Sequence, residues 1–395
     1  MHTLCVLFCN PAIFFVVKIW ILEIGEPLPL ERGARLLRYG LFTKYLASVG
    51  HEVVWWASNF SHIKKRHFSK EDKDISYGDV TLRLINGPGY KKNISLKRIL
   101  HARYFSKRFT ELSSKYAKPD LVICPVPTLE NAKSAIKFSL ENDITSVIDF
   151  RDLWPDELVE IVPNILKPIA RIWLYRMYQD AEFVCQNANG IMGVSKSYLD
   201  YGTNLAGRSI RSSDCVFPLP IGYSIDQIEK GDLQQGLQWY ESLNLGSNDF
   251  VVCFFGTMGQ YFDISTVIKC ARNLRLNPRI KFILGGDGSQ FLKFKKEAGD
   301  LDNILFPGWL DQNQIAAVML NASIGLAPYK KDANMSLPNK VFDYLNAGLP
   351  VVSSLTGELE DLLTTFQSGY TYVADSEDAL IGIILNFFES PDLIE

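Results

Sequence analysis

The sequence predicts an α/β fold made of two doubly wound domains, and three observations carry that prediction. Short apolar runs rich in Val, Ile and Phe recur with the character of strands buried on both faces of a parallel sheet. Amphipathic helical stretches alternate with them. Glycine-bearing loops follow several of the runs directly, where open α/β sheets place ligands. At 395 residues the chain has room for two such domains. A composition of 47% hydrophobic and 22% charged residues describes a globular protein with large cores.

Regular structure is expected from Val17 onward. Leu4 to Val17 is apolar apart from Cys9 and Asn10, which is short for a membrane span of about 20 residues. It lacks the basic start and small-residue cleavage site of a secretory signal. Residues 1–16 therefore read as an N-terminal apolar extension, with a membrane-dipping anchor as the alternative. Val17 to Gly25 reads as a buried strand, followed by a loop carrying Gly25 and Gly33. Ala34 to Val49 reads as an amphipathic helix with Leu37, Leu41, Tyr45 and Leu46 on one side, and His51 to Ala57 as the next strand. Strand, glycine-bearing loop, helix and strand open a doubly wound, Rossmann-like domain, though the loop alone is equally an ordinary turn.

Further strands are expected at Asp120–Cys124 and Val147–Phe150. The second runs into Arg151-Asp152-Leu153-Trp154-Pro155 at the end of the sheet where ligands bind. Arg151 and Asp152 read either as functional groups or as a structural ion pair. Ile165 to Asn187 reads as one helix with its aromatic stripe on the core, and Gly190–Val194 as a strand. Val216–Gly222 closes a first domain at 17–222, and the polar stretch Ser224–Asn248 crosses into a second at 223–395.

In the second domain strands are expected near 250–256, 280–285, 303–307, 323–328 and 349–353. Helices are expected near 264–276, 290–299, 311–320, 338–347 and 357–366. Gly256-Thr257-Met258-Gly259 follows the first strand, where Gly256 and Gly259 let the backbone approach a diphosphate. Ser336 and Pro338 read as a helix start, Gly348 and Pro350 as its stop. Lys340 falls in the first turn of that helix, where a cation opposes the helix dipole by roughly 0.3–1 kcal/mol. Free amides plus an ammonium make an anion site, most naturally for phosphate, and Asp343 would then accept from a sugar hydroxyl. A solvated Lys340–Asp343 pair explains the same residues equally well.

The seven cysteines are scattered without a CxxC pair and read as reduced core residues. All five histidines lie at or before His101, and nothing resembles a zinc site. The net charge of −3 is uneven: between Ser61 and Thr110 there are 13 Lys or Arg against 4 Asp or Glu, an excess of +9 that leaves the remainder at −12. Such a block attracts phosphates or an anionic membrane surface, or is simply a solvated face. No nucleic-acid motif accompanies it, and no nucleic-acid partner is expected. Neither a Walker lysine loop nor a strict GxGxxG fingerprint occurs, which argues against a kinase or a Rossmann dehydrogenase.

Pro338-Asn339-Lys340-Val341-Phe342-Asp343-Tyr344-Leu345, then Ala347-Gly348-Leu349-Pro350-Val351-Val352, resembles the donor-binding segment of GT-B glycosyltransferases. Most closely it resembles family 4, the retaining enzymes that use nucleotide-diphosphate sugars. Asp343 stands where that family has the second glutamate of its E-x7-E motif, and Met335 stands at the first. Gly285-Gly286-Asp287-Gly288 matches the family's glycine-aspartate-glycine turn, and Gly308-Trp309 the segment beside the nucleotide base. Arg151 to Pro155 resembles the subgroup that builds surface polysaccharides. Two family features are missing. Pro125-Val126-Pro127 replaces a histidine, and Thr257 with Gln260-Tyr261-Phe262 replaces the cations of the first glycine loop.

The resemblance implies two domains facing a cleft. It implies a retaining transfer from a nucleotide-diphosphate sugar, a UDP-sugar foremost, without metal or further cofactor. Lys340, Asp343 and Asp152 are the implied catalytic groups, Asp152 orienting the acceptor hydroxyl. Gly256, Gly259, Asp287, Gly308, Ser336, Asn339 and Gly25 are the implied donor-binding residues. The acceptor is expected to be a saccharide, foremost a lipid-linked one, met by a cytoplasmic protein that touches the anionic inner membrane face through residues 61–110. Ala379–Phe388 is expected to begin the long closing helix of such chains, which here stops early. Two other readings stand beside this one. An inactive partner subunit of the same fold fits Met335 and the missing cations, whereas a sugar-nucleotide epimerase would need titratable groups that the histidine shortage denies it.

Overall fold

The computed structural model describes residues 16–30, 36–62, 64–92, 95–160, 162–218, 228, 230–333, 335–390 and 392. The proposed extension up to residue 15, and Gly33 and Gly222, lie outside them. The chain divides into two compact units, residues 1–219 and 220–395. Among the described residues no helix is long and apolar enough to cross a membrane.

The first unit is built on β1 (Lys18–Leu22), β2 (Glu52–Ser58), β3 (Lys73–Tyr77), β4 (Val80–Ile85), β5 (Leu121–Val126), β6 (Thr145–Phe150), β7 (Gly190–Gly193) and β8 (Cys215–Val216). They form one eight-stranded sheet in the order β3-β4-β2-β1-β5-β6-β7-β8. All pairings are parallel except the β3–β4 hairpin. Trp20 of β1 anchors one face: its ring stacks on Phe138 at 5.3 Å and meets Trp56 edge-on at 5.0 Å. Helices α2 (Leu96–Ser113) and α3 (Leu129–Asn142) supply Phe109 and Phe138 to that layer.

On the opposite face lies α1 (Arg38–Ser48). Its buried side is Tyr39, Phe42, Thr43 and Leu46; of the expected stripe Leu37, Leu41, Tyr45 and Leu46 only Leu46 is fully buried, and Tyr45 is 49% exposed. The reason is polar. Arg38 and Tyr39 both reach the fully buried Asp149 of β6, and satisfying that carboxylate sets the helix's rotation. The expected single helix 165–187 is a 3-10 turn at Asn164–Leu166, a short α5 (Lys167–Trp173) and α6 (Tyr175–Asn187), preceded by α4 (Asp156–Glu160). Only α6 buries its apolar face, through Ala181, Val184 and Cys185, while the aromatics expected in the core include an exposed Trp173 and Tyr175. Helix α7 (Lys196–Leu205) follows β7.

The second unit opens with α8 (Lys230–Glu241), in the stretch expected to be a plain crossing. It places Leu233 and Trp239 against the unit's core. Its strands are β9 (Phe250–Phe255), β10 (Ile280–Gly285), β11 (Ile304–Gly308), β12 (Ile324–Ala327), β13 (Val351–Ser353) and β14 (Gly369–Thr371). They form a parallel sheet in the order β11-β10-β9-β12-β13-β14. Helices α9 (Ile264–Asn273), α10 (Phe291–Ala298), α11 (Gln312–Asn321), α12 (Asn339–Asn346), α13 (Glu358–Thr365) and α14 (Glu377–Glu389) alternate with them. Strand order reverses between β9 and β12 here, and between β1 and β5 in the first unit. Open α/β sheets bind ligands at such points, beyond the carboxyl ends of the strands.

Candidate active site

In the second unit the loop after β9 and the loop after β10 lock together. Gly256 N donates to Gly285 O at 3.1 Å, Met258 N to Asp287 O at 2.9 Å, and Gly286 N to Gly308 O at 2.7 Å. A methyl at Gly286, whose φ is +142°, would stand 1.9 Å from Gly256 O, so only glycine permits this approach. Asp287 is exposed and its carboxylate accepts from the following amide of Gly288 at 2.7 Å, which makes it a turn-former in this structure. The amide of Gly259 is engaged with Thr257 O at 2.8 Å and is not among the open donors.

Helix α12 is pinned across the reversal point by one hydroxyl. Tyr344 Oη accepts from Phe255 N at 3.2 Å and donates to Leu326 O at 3.1 Å, joining the ends of β9 and β12. Gly348, with φ +74°, ends the helix as expected. The start differs from expectation: Pro338 is the N-cap, α12 begins at Asn339, and no side chain caps it. Ser336 lies too far upstream to cap, and its buried hydroxyl has no hydrogen-bond partner among the described residues.

The first turn of α12 directs Lys340 inward. Its ammonium lies 3.7 Å from the Phe262 ring centre, 4.1 Å from Phe254 and 5.6 Å from Tyr329. It is buried and has no hydrogen-bond partner among the described residues. Burial holds the amine well below the usual lysine range, and Asp343 only partly offsets this. The solvated Lys340–Asp343 pair is therefore not what the structure holds. A buried amine without a hydrogen-bond partner among the described residues lies against the Gly256 loop at a helix N-terminus, with an unsatisfied Ser336 hydroxyl just upstream, and this arrangement fits an anionic ligand with several acceptor oxygens. Asp343 is half-buried one turn on, Asn339 is exposed at the first helical position, and Gly308 closes the floor beside an exposed Trp309. The aromatic walls Phe254, Phe262 and Tyr329 were not anticipated. Their only sequence signal is an aromatic at or just beyond a strand end.

The first unit carries a separate group at its own reversal point. Glu23, Gly25 and Glu26 follow β1. Arg151 pairs with Glu26 at 2.8 Å and Glu23 at 3.4 Å, so its ion-pair partners are these two carboxylates. Glu26 also accepts from the amides of Tyr39 at 2.8 Å and Gly40 at 3.3 Å. Burial, reinforced by Glu23 and opposed by Arg151, pushes Glu26 up to about 7. Burial also raises the half-buried Asp152, which Arg151 and Arg98 draw down.

A pocket beside this network is lined by Gly25, Pro127, Trp154, Arg98, His62 and His101. The Arg98 guanidinium lies 5.9 Å from the Trp154 ring. His101 Nδ1 meets Pro88 O at 2.6 Å, and its buried Nε2 has no hydrogen-bond partner among the described residues. Burial, then Lys65, Arg98 and His101, pushes His62 down to about 4. Neutral imidazoles, a guanidinium and an indole face suit a polyhydroxylated ligand with an anionic portion. The structure thus brings Lys340, Asp343, Gly256 and Gly308 together in the second unit, with Ser336 three residues before α12, and Gly25, Arg151 and Asp152 together in the first.

Two doubly wound units, each with a polar site at its reversal point, are the GT-B glycosyltransferase fold. Residues 238–395 match the family model described as glycosyl transferases group 1. The solved structure of HepE from Anabaena with UDP and glucose is similar over 96% of this chain and 91% of that one, with a TM-score of 0.60 and 15% identity. WaaG, a glycosyltransferase involved in lipopolysaccharide biosynthesis, is similar over 95% of this chain and 92% of its own, with a TM-score of 0.61 and 14% identity. A curated relative, the chitobiosyldiphosphodolichol beta-mannosyltransferase of Debaryomyces hansenii, is 24% identical over 107 residues, 26% of this chain and 23% of that protein.

Proposed function

We propose that the protein transfers a sugar, with retention, from a nucleotide-diphosphate donor to a lipid-linked saccharide in the assembly of a surface polysaccharide. The observation that carries this reading is the buried Lys340 ammonium in the first turn of α12, which has no hydrogen-bond partner among the described residues, together with the likewise unpartnered Ser336 hydroxyl three residues before that helix begins. A donor diphosphate would satisfy both, and Lys340 with nearby amides would stabilise charge on the leaving group. Asp343 would take a ribose or sugar hydroxyl, and Gly308 would border the base. UDP is the first nucleotide to try, since HepE binds it. The first-unit pocket would hold the acceptor, with Asp152 orienting its hydroxyl. A lipid-linked acceptor is supported by the dolichol-linked substrate in the yeast relative's name and by WaaG's part in lipopolysaccharide synthesis. The protein would then work at the cytoplasmic face of a membrane, which the basic block at 61–110 suits.

The test is thermal stability against UDP, GDP, ADP and TDP, with Lys340→Ala alongside. A nucleotide at 100 times its dissociation constant adds about 2.7 kcal/mol. A shift with one nucleotide that the variant loses supports the donor site, and sugar release from the matching donor then marks an enzyme. Met335, exposed where the family has a glutamate, favours one rival, an inactive partner subunit. Nucleotide binding without donor turnover would select it.

A further inference from the structure

The segment Asn164–Arg176 presents an apolar ridge to solvent. Ile165 and Trp173 are each 85% exposed and Ile172 is 73% exposed, with Leu166, Ile169 and Tyr175 also open. Ile165, Ile169 and Ile172 recur at the spacing of one helical face. None of these side chains joins the unit's core, and α5 buries no residue. Single exposed apolar residues need no explanation, but six in the eleven positions 165–175 do.

Charge identifies the occupant. Val162 to Arg176 contains Lys167, Arg171 and Arg176 and no acidic residue. Lys167 pairs back onto Glu160 of α4, while Arg171 and Arg176 are exposed. Branched aliphatics with Trp and Tyr at the margin and cations beside them is the composition of a helix lying in a bilayer interface over anionic headgroups. A protein partner selected for such a face would carry its own carboxylates against Arg171 and Arg176, and nothing here selects for that over lipid phosphate.

We propose that Asn164–Arg176 is a docking element that inserts its apolar ridge into an anionic lipid surface. It is distinct from the basic block at 61–110: that block supplies long-range attraction, and the ridge supplies burial. The inference needs neither the donor site nor the acceptor assignment to be correct.

The experiment is co-sedimentation of the full chain with phosphatidylcholine vesicles, with and without phosphatidylglycerol. The wild-type chain is expected to bind the anionic vesicles and to bind the neutral ones poorly. Ile169→Ser with Trp173→Ser should weaken anionic-vesicle binding by about tenfold or more, and Arg171→Ala with Arg176→Ala should weaken it less. Both variants should keep the wild-type melting temperature, because the changed residues are exposed. Equal binding by the serine variant overturns the proposal and assigns membrane contact to the basic block. Absence of wild-type binding also overturns it. So does a wild-type dimer, seen in sedimentation equilibrium, that the serine variant dissociates, because the ridge would then join two copies.

Discussion

A methyl group at Gly256 would lie 2.9 Å from the ammonium of Lys340. The glycine is therefore the floor on which the buried cation rests, and the two residues must be considered together. Gly256→Ala is predicted to push the ammonium out of its aromatic enclosure. The UDP-induced thermal shift should fall by at least about half of the ~2.7 kcal/mol expected near saturation. An undiminished shift would sink the idea that this position sets the cation.

Lys340 is predicted to lower the stability of the empty protein, since a buried amine without a hydrogen-bond partner among the described residues is unfavourable in either protonation state. Lys340→Met keeps the length and the apolar contacts. It should raise the ligand-free unfolding free energy by about 1 kcal/mol while removing nucleotide stabilisation. Chemical denaturation of both proteins checks this, and a destabilised Met variant would contradict it.

Nucleotide binding should take up a proton. Burial depresses the Lys340 amine in the empty protein, and a diphosphate beside it favours the charged form. Between the free and bound pKa values the complex holds a proton the empty protein lacks, so affinity declines as pH rises through the bound value. Calorimetry in buffers of different ionisation enthalpy measures this directly. A heat independent of buffer would refute it.

Tyr344→Phe should cost about 1–3 kcal/mol, since it leaves Phe255 N and Leu326 O buried without their shared partner. Because the same hydroxyl joins β9 to β12 beneath α12, nucleotide affinity should fall as well. Unchanged stability in urea unfolding would show that the bridge is replaceable.

Glu26 predicts a pH dependence of stability in the first unit. Burial pushes its carboxyl up to about 7, above the ordinary glutamate value of 4.5. The folded chain therefore holds a proton that the unfolded chain releases. The stabilisation this gives is complete below about 4.5 and is lost as pH rises through about 7. Glu26→Gln should flatten the stability profile across that window by ~1–3 kcal/mol. Parallel profiles for the two proteins would rule it out.

The second unit was largely legible in sequence. Its strands at 250–255, 280–285, 304–308, 324–327 and 351–353 fall within two residues of where the apolar runs put them, because strands buried on both faces must be apolar throughout. Helix α8 was not legible: Lys230–Glu241 is polar with two glycines, and its fit depends on a neighbour distant in sequence. The β3–β4 hairpin was missed because β3 is a mostly exposed edge strand with no apolar pattern. At the site, the charge of Lys340 could be read. Its aromatic surround could not, since Phe254, Phe262 and Tyr329 come from three separate stretches. The buried side of α1 was misread because a polar contact outweighed a leucine count.

The interlocked glycine loops bear on how such a protein could change over generations. Gly286 comes so close to the backbone of Gly256 that any side chain gained at Gly286 would strike Gly256 O, so no single substitution is open at that position. Variation in what the protein accepts would have to accumulate at open positions such as Trp309 and Asn339, where one change does not require a second.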